Sequence, residues 1–66
     1  MNKIKGYRNM IGLSQEEMAE KLGVHVNTYI SWEEDPKKFK VDKAFAFLEE
    51  IKKFDATVKF EDIFLN

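Results

Sequence analysis

The fold is decided by residues 13–33, which read LSQEEMAEKLGVHVNTYISWE. This stretch carries explicit start and stop signals for helices. Ser14 can accept a hydrogen bond from the backbone N–H of Glu17 while the Glu17 carboxylate accepts one from the N–H of Ser14, and such a capping box starts a helix. Gly23 is a typical residue for ending a helix, and a new helix is predicted over residues 26–33. The stretch therefore predicts two short helices that meet at a glycine.

The spacing of these two helices is that of a helix-turn-helix. The first is predicted over residues 15–22 and the turn over residues 23–25. Two helices joined by a three- or four-residue turn that contains glycine form this motif, whose second helix enters the major groove of DNA. Tyr29 and Trp32 lie three residues apart and define the buried face of the second helix, which leaves the opposite face for solvent or a ligand.

The rest of the chain predicts further helices. Apolar residues recur at intervals of three and four over residues 2–11 and 41–54, which is the pattern of one buried helix face. A short helix is predicted within residues 56–64, with a strand over residues 57–60 as the alternative. Residues 37–40, KKFK, form a basic loop. The predicted fold class is all-α, a compact bundle of four to five helices.

Composition excludes several classes of protein. The chain has 66 residues, a formal net charge of -1, one histidine and no cysteine. A chain of this length holds one small core, so we expect a single domain over residues 1–66. Without cysteines or a histidine cluster we expect no metal site, no cofactor and no disulfide framework. No paired catalytic groups are spaced for an enzyme, and no apolar run approaches the about 18 residues of a membrane span. We therefore expect a cytoplasmic, non-enzymatic protein without a membrane segment or a small-molecule ligand.

The charge distribution is uneven although the net charge is small. Residues 1–43 hold eight Lys or Arg and seven Asp or Glu, whereas residues 44–66 hold three and five. A DNA-binding domain usually has a basic excess, and this chain has none overall. The cations available to a polyanion lie early in the chain: Lys3, Lys5, Arg8, Lys37, Lys38 and Lys40.

A family resemblance is carried by three segments of the motif region. Residues 13–24, LSQEEMAEKLGV, followed by NTY at 27–29 and WE at 32–33, resemble the phage repressor and Cro family of helix-turn-helix regulators, also called the Xre family. Residues 60–64, FEDIF, are similar to the end of the fifth helix in that family, so the resemblance covers essentially the whole chain. It implies a lambda repressor-like DNA-binding domain that binds double-stranded operator DNA as a homodimer.

The resemblance also implies roles for three polar residues at helix ends. Gln15 matches the glutamine that opens the second helix, where it contacts a backbone phosphate and braces the recognition helix. That role suits an amide at a helix start, where backbone N–H groups favour an anion. Arg8 and Glu33 match a buried pair that joins the first helix to the end of the third. We interpret this pair as structural, because a buried charge without its partner costs about 3 to 5 kcal/mol.

The outward face of the third helix holds the candidate base-reading residues. An advance of about 100° per residue places four residues opposite the buried face: Asn27, Ile30, Ser31 and Glu34. The base-reading positions of the family fall on Val26, Asn27, Thr28 and Ser31. Asn binds adenine N6 and N7, while Val26, Ile30 or the Thr28 methyl group can pack on thymine methyl groups. The helix has no arginine to read guanine, so an A·T-leaning half-site is predicted. Glu34 opposes DNA binding electrostatically.

The candidate phosphate contacts lie on either side of this helix. Lys37, Lys38 and Lys40 supply them from the basic loop, with an ordinary solvated turn as the alternative. His25 stands where the family usually has a Ser or Thr N-cap, so capping or a phosphate contact is expected. Metal ligation is not expected, because a lone histidine has no second ligand beside it.

The predicted function is transcriptional repression, in which a dimer occupies an operator with its recognition helices one DNA turn apart. The alternative is a protein-interaction module of the same fold, an antitoxin or an antirepressor, which suits the near-neutral charge. A steep loss of affinity with salt distinguishes DNA binding from such a protein complex. One phenylalanine near the fourth helix is expected to face outward and to form an apolar dimer patch with C-terminal side chains. The outward-facing residue is expected among Phe45, Phe47 and Phe54. The C-terminal side chains that would join it are Phe60, Phe64 and Leu65.

Overall fold

A computed structural model describes residues 2–65, which fold into helices packed around one apolar core. The helices are α1 (Lys3–Met10), α2 (Gln15–Leu22), α3 (Val26–Glu34), α4 (Val41–Lys52) and α5 (Phe60–Phe64), with a short 3-10 helix at Pro36–Lys38 between α3 and α4. No strand occurs in the described part of the chain, and residues 56 and 57 form a turn before α5. The predicted all-α bundle is confirmed, and the alternative strand is not formed.

The boundaries of α2 follow from hydrogen bonds made by the residues that flank it. Glu17 N donates to Ser14 Oγ at 3.0 Å, and Ser14 N donates to Glu17 Oε1 at 2.9 Å, so the predicted capping box is present. At the other end Gly23 adopts φ 72° and ψ 33°, a left-handed conformation that side chains with a Cβ disfavour. Both ends of α2 are thus set by local chemistry rather than by packing.

The core draws on all five helices. Tyr29, Phe47 and Ile51 are fully buried at its centre. The remaining buried hydrophobic residues complete it from every helix and from the segment before α5: Ile4, Ile11, Met18, Ala19, Leu22, Trp32, Ala44, Leu48, Val58 and Ile63. The buried faces of α3 and α4 are therefore held between α1, α2 and α5.

Phe39 is the residue of the predicted basic loop whose role the sequence did not reveal. Its ring is half-buried and lies 5.0 Å from Trp32, 5.2 Å from Phe64 and 5.8 Å from Phe47, measured between ring centroids. Aromatic rings at these separations attract each other in edge-to-face and tilted arrangements. The segment between α3 and α4 is thus anchored to the core by Phe39, while the lysines on either side of it are exposed.

The expectation that one phenylalanine near α4 faces outward was wrong, because two do. Phe47 is fully buried, whereas Phe45 is 49% exposed and Phe54 is 68% exposed. Phe54 lies outside because α4 ends at Lys52, two residues earlier than the apolar pattern suggested. Phe45 lies on the outer side of α4 and stacks on Phe60, with their ring centroids 4.8 Å apart.

Candidate nucleic-acid interface

The helix-turn-helix is formed by α2, the turn at residues 23–25 and α3. Val24 N donates to Ala19 O at 3.0 Å and Gly23 N donates to Glu20 O at 3.1 Å, which satisfies carbonyl groups left free at the end of α2. The Val24 side chain is half-buried against the core. The chain therefore leaves α2 and enters α3 along a short path fixed by backbone hydrogen bonds.

A buried carboxylate fixes the orientation of α3. Glu33 is 3% exposed and accepts hydrogen bonds from Arg8 Nε at 2.8 Å, Arg8 Nη2 at 3.1 Å, Tyr29 Oη at 2.8 Å and Gln15 Nε2 at 3.0 Å. The remaining Arg8 nitrogen, Nη1, donates to the Leu13 carbonyl at 2.8 Å. The predicted pair between Arg8 and Glu33 is thus formed, as the centre of a network that links α1, α2 and α3.

The ionisation states of this network follow from its hydrogen bonds. Burial disfavours the charged form of Glu33, but hydrogen bonds from Arg8, Tyr29 and Gln15 outweigh it and hold the pKa of Glu33 below its ordinary value of 4.5. The hydrogen bonds that Arg8 itself donates to Glu33 raise the pKa of Arg8. Burial and the nearby Glu33 carboxylate raise the pKa of Tyr29, so its hydroxyl stays protonated as a donor. Within residues 2–65 every buried side-chain nitrogen and oxygen has a hydrogen-bond partner.

Gln15 is the first residue of α2 and is half-buried. Its amide nitrogen donates to Glu33 at the far end of α3, so it ties the start of one helix to the end of the next. An amide nitrogen carries two hydrogens, and one of them is used by this bond. The other hydrogen and the amide oxygen have no partner among the hydrogen bonds of residues 2–65.

The outer face of α3 is polar in its first half. Asn27 and Thr28 are exposed, and their side chains make no hydrogen bonds with other described residues. Val26 and Ser31 are half-buried, and Ser31 Oγ donates to the Thr28 carbonyl at 2.7 Å. The hydroxyl hydrogen of Ser31 is therefore occupied within the helix, which leaves its oxygen as an acceptor. Glu34 is exposed at the end of the same helix.

His25 is the N-cap of α3, one of the two roles expected for it. It has φ −67° and ψ 145°, and its Nδ1 accepts a hydrogen bond from Asn27 N at 3.1 Å. A side-chain acceptor on this backbone N–H satisfies one of the free donors of the first helical turn. The imidazole is exposed, with its other nitrogen directed away from this bond.

The lysines of the segment between α3 and α4 are exposed on two different structural elements. Lys37 and Lys38 belong to the 3-10 helix, which Asp35 caps by accepting from Lys37 N at 3.3 Å. Lys40 is the residue that precedes α4. Lys37 also lines a surface groove together with Lys3 and the acidic residue Glu34.

Comparison with known proteins identifies the family. A family model described as helix-turn-helix matches residues 4–53, which span α1 through the end of α4. The chain belongs to the Xre-type helix-turn-helix family of DNA-binding transcriptional regulators. It is 44% identical over 64 residues to an uncharacterized HTH-type transcriptional regulator of Methanocaldococcus jannaschii, an alignment that covers 97% of this chain and 89% of that protein. No solved structure matches the chain.

Two residues of this regulator contribute contacts that sequence reasoning missed. Lys43, in the first turn of α4, donates from Nζ to the Leu22 carbonyl at 2.8 Å and so ties α4 to the end of α2. Asn2 caps α1 through a hydrogen bond from Lys5 N at 3.1 Å, and its Nδ2 donates to the Glu33 carbonyl at 2.7 Å. The local signal for Asn2 was an Asn directly before an apolar-periodic helix. No local signal identifies the partner of Lys43, since it lies 21 residues away.

Across residues 2–65 no three His, Cys, Asp or Glu side chains are grouped so that they could hold a metal ion. None of the helices in that part of the chain has the length and apolar character needed to cross a membrane.

Proposed function

We propose that this regulator is a repressor that binds operator DNA as a homodimer, with α3 in the major groove. Val26, Asn27, Thr28 and Ser31 face the base edges. The observation that carries the proposal is the polar outer face of α3, where Asn27 and Thr28 are exposed and without internal side-chain partners. The four hydrogen bonds to the buried Glu33 carboxylate fix the orientation of α3. The helix therefore presents its free amide and hydroxyl groups to base pairs on a rigid surface.

The side chains of α3 favour A·T base pairs. Asn27 bonds to adenine N6 and N7, and the methyl groups of Val26 and Thr28 pack on thymine methyl groups. Ser31 acts as an acceptor toward an exocyclic amino group, because its hydrogen is bound to the Thr28 carbonyl. The sequence of α3, VNTYISWEE, contains no arginine or lysine, which are the side chains that commonly read guanine.

Phosphate contacts come from the ends of the helices around α3. Gln15 has a free amide hydrogen at the start of α2, and His25 presents a ring nitrogen beside the start of α3. Lys37, Lys38 and Lys40 are exposed before and at the start of α4. With a formal net charge of -1 for the chain, these few cations give modest non-specific affinity, so base contacts supply much of the discrimination. Repression follows from occupancy of the operator, and the single core across α1 to α5 supports one DNA-binding domain over residues 1–66.

The proposed dimer interface is an aromatic patch formed by Val41, Phe45 and Phe60. Val41 is 72% and Phe45 is 49% exposed, and the Phe45 ring stacks on the half-buried Phe60. A pocket of about 180 Å³ beside them is lined by Lys37 and by apolar residues that include Val41 and Phe60. In a two-fold interface the same patch of each protomer packs against its copy, so the patch must carry both a protruding group and a depression that receives it. Here the exposed side chains protrude and the pocket is the depression. Leu65, expected in the same patch, instead lines a groove between α1 and α5.

The dimensions of the molecule agree with such a dimer on DNA. Recognition helices of a two-fold dimer lie about 34 Å apart, which is one turn of the duplex. The protein measures 29 × 23 × 22 Å. Two copies side by side are therefore of a size that allows their α3 helices to reach consecutive major-groove segments on one side of the duplex.

The test is selection of bound sequences from random duplex DNA at moderate salt. We expect a palindromic site with A·T pairs at the positions that Asn27 protects. Asn27→Ala should lose the preference there, with a cost of about 1 to 3 kcal/mol in discrimination. Asn9→Ala is the matched control, because Asn9 is an exposed asparagine on α1.

Three results would contradict the proposal. Enrichment of G·C pairs at the Asn27 positions would refute the readout, and failure to enrich any half-site would refute operator binding. Affinity that does not fall steeply with salt would also refute it, because phosphate contacts release counterions. A salt-insensitive complex with a protein would instead favour the antitoxin or antirepressor alternative.

A further inference from the structure

His25 joins the cap of the recognition helix to a proposed base-reading residue. Its Nδ1 accepts from the backbone N–H of Asn27 at 3.1 Å, and Asn27 lies in the first turn of α3 with an exposed side chain. His25 is also the only histidine of the chain. Among natural side chains, histidine alone changes charge between pH 5 and 8 at its unperturbed pKa.

The cap specifies one protonation state of the imidazole. A nitrogen that accepts a hydrogen bond must carry a lone pair, so Nδ1 is unprotonated and the single ring proton lies on Nε2. The imidazolium form has two N–H donors and no acceptor. Protonation at Nδ1 therefore breaks the cap and adds a positive charge at the helix end where the dipole already favours negative charge.

We propose that neutral His25 positions Asn27 for base reading and that protonation of His25 uncaps α3 and weakens DNA binding. This positioning role rests on the proposed function. An uncapped first turn frays in the free protein and must be ordered again in the major groove. The free energy of ordering then opposes binding, so the cap affects affinity as well as stability.

The charged groups beside the α2–α3 turn come from the end of α2 and the start of α4. Lys43 from α4 lies at the end of α2, with its Nζ 2.8 Å from the Leu22 carbonyl. Glu20 and Lys21 are exposed in the last turn of α2. Neither ion pair in residues 2–65 involves His25.

The cap itself is tested without DNA. We expect ¹⁵N NMR of the free protein at pH 8 to show the Nε2–H tautomer of His25. The Asn27 amide should be protected from hydrogen exchange at pH 8 and lose protection relative to amides at the centre of α3 as the pH falls to 5.5. An Nδ1–H tautomer, or protection of Asn27 that does not depend on the charge of the ring, would overturn the proposal.

The positioning role is tested with the selected operator at constant ionic strength. Affinity should fall by about fivefold per recognition helix between pH 8 and 5.5, which corresponds to a cap of about 1 kcal/mol. In His25→Ser the serine caps at every pH, so affinity at pH 5.5 should equal that at pH 8. His25→Ala lacks any cap and should bind more weakly than His25→Ser at both pH values, because both variants lack the proposed phosphate contact of the ring and only the serine caps α3.

The outcomes separate this proposal from the function on which it rests. Tighter binding in acid would show an imidazolium that bonds to phosphate and would overturn the neutral cap as the active form. An identical pH profile in His25→Ser would also overturn it. If the free protein shows the neutral cap but no duplex is bound at either pH, the proposed function fails and the positioning role fails with it. If DNA is bound equally at both pH values, only the positioning role fails.

Discussion

At the scale of single residues, Glu33 connects stability to the geometry of the recognition helix. Its two carboxylate oxygens accept four hydrogen bonds from three side chains on α1, α2 and α3. Hydrogen bonds to a charged group contribute about 1.5 to 3 kcal/mol each, more than bonds between neutral groups. Loss of Arg8 would leave the Glu33 carboxylate buried without its opposite charge. The network is complete only when α1, α2 and α3 are in this arrangement, and it therefore holds α3 in a single orientation.

Reversal of the charge at Arg8 should unfold the protein rather than weaken DNA contacts alone. Arg8→Glu places two buried carboxylates together, and loss of a buried partner by itself costs about 3 to 5 kcal/mol. A small domain has a free energy of unfolding of about 5 to 15 kcal/mol in total. Thermal melting followed by circular dichroism should show a transition that is strongly lowered or absent at room temperature.

The control for Arg8→Glu is the same reversal at an exposed pair. Lys53→Glu removes the ion pair with Glu50, in which the Lys53 side chain is 63% exposed, and exposed pairs contribute about 0 to 1 kcal/mol. Its melting temperature should stay near that of the wild type. An unchanged melting temperature in Arg8→Glu would show that the buried pair does not support the fold.

Acid should weaken the fold through Glu33. Its pKa is lowered in the folded protein, so its contribution to stability is present above its ordinary value of 4.5 and is lost as the pH falls through the lowered pKa. Urea unfolding from pH 7 to pH 3 should show a larger loss of stability for the wild type than for Glu33→Gln, which has no charge to lose. Equal losses in the two proteins would assign the acid sensitivity to other carboxylates.

At the scale of helices, local signals were sufficient for some boundaries and insufficient for others. The capping box and Gly23 predicted α2 from Gln15 to Leu22. At each end of this helix the residues that set the boundary lie within three residues of it, so the sequence shows them directly. The end of α4 was placed too late, since the apolar spacing continues through Phe54 although the helix stops at Lys52. Periodicity describes which residues are apolar, and it does not show where backbone hydrogen bonds cease.

Contacts between helices set a second limit on what the sequence could predict. The pair of Arg8 and Glu33 was accessible through the family resemblance, because both positions match its pattern. The anchoring of Phe39 in the core was hidden by the lysines around it, and the bond from Lys43 to Leu22 depends on how α4 packs. The side chains proposed to contact DNA were all predicted from the sequence, and their roles remain predictions.

The stability of the two helices of the motif should depend on the backbone conformation of Gly23. An alanine there would meet only Lys43 Nζ at 3.8 Å, an ordinary contact, so the cost arises from φ 72° rather than from space. Gly23→Ala should lose about 1 to 2 kcal/mol of unfolding free energy, the penalty of the left-handed conformation for a residue with a Cβ. Chemical denaturation measures this loss.

Gly6 provides the matched control for Gly23. It lies inside α1, and a Cβ at this position would have no atom within 4 Å, so the glycine is not needed for a close helix contact. Gly6→Ala should raise stability by about 0.5 to 1 kcal/mol through helix propensity. If both alanine variants changed stability in the same direction, backbone conformation would not be the cause at Gly23.

At the scale of the whole molecule, the near-zero charge and the exposed aromatic patch act together. A formal net charge of -1 gives little long-range attraction to DNA, so a lone protomer would depend on the few base and phosphate contacts proposed for it. Linking two recognition helices makes the second binding event intramolecular, which raises the overall affinity without new contacts to DNA. The proposed dimerisation through Val41, Phe45 and Phe60 would thereby compensate for a weakly attractive surface.

Phe45→Glu should separate the protomers and leave each one folded. The side chain is 49% exposed on α4, so the substitution removes little core packing, while a carboxylate on both sides of a two-fold interface brings like charges together. Sedimentation equilibrium should show a monomer at concentrations where the wild type is dimeric. Operator affinity should fall by a factor of at least ten, and the thermal transition at low concentration should be almost unchanged.

Phe54→Glu is the control, because Phe54 is 68% exposed but lies beyond the end of α4, outside the aromatic patch. Loss of the dimer in Phe54→Glu with retention in Phe45→Glu would place the interface elsewhere on the surface.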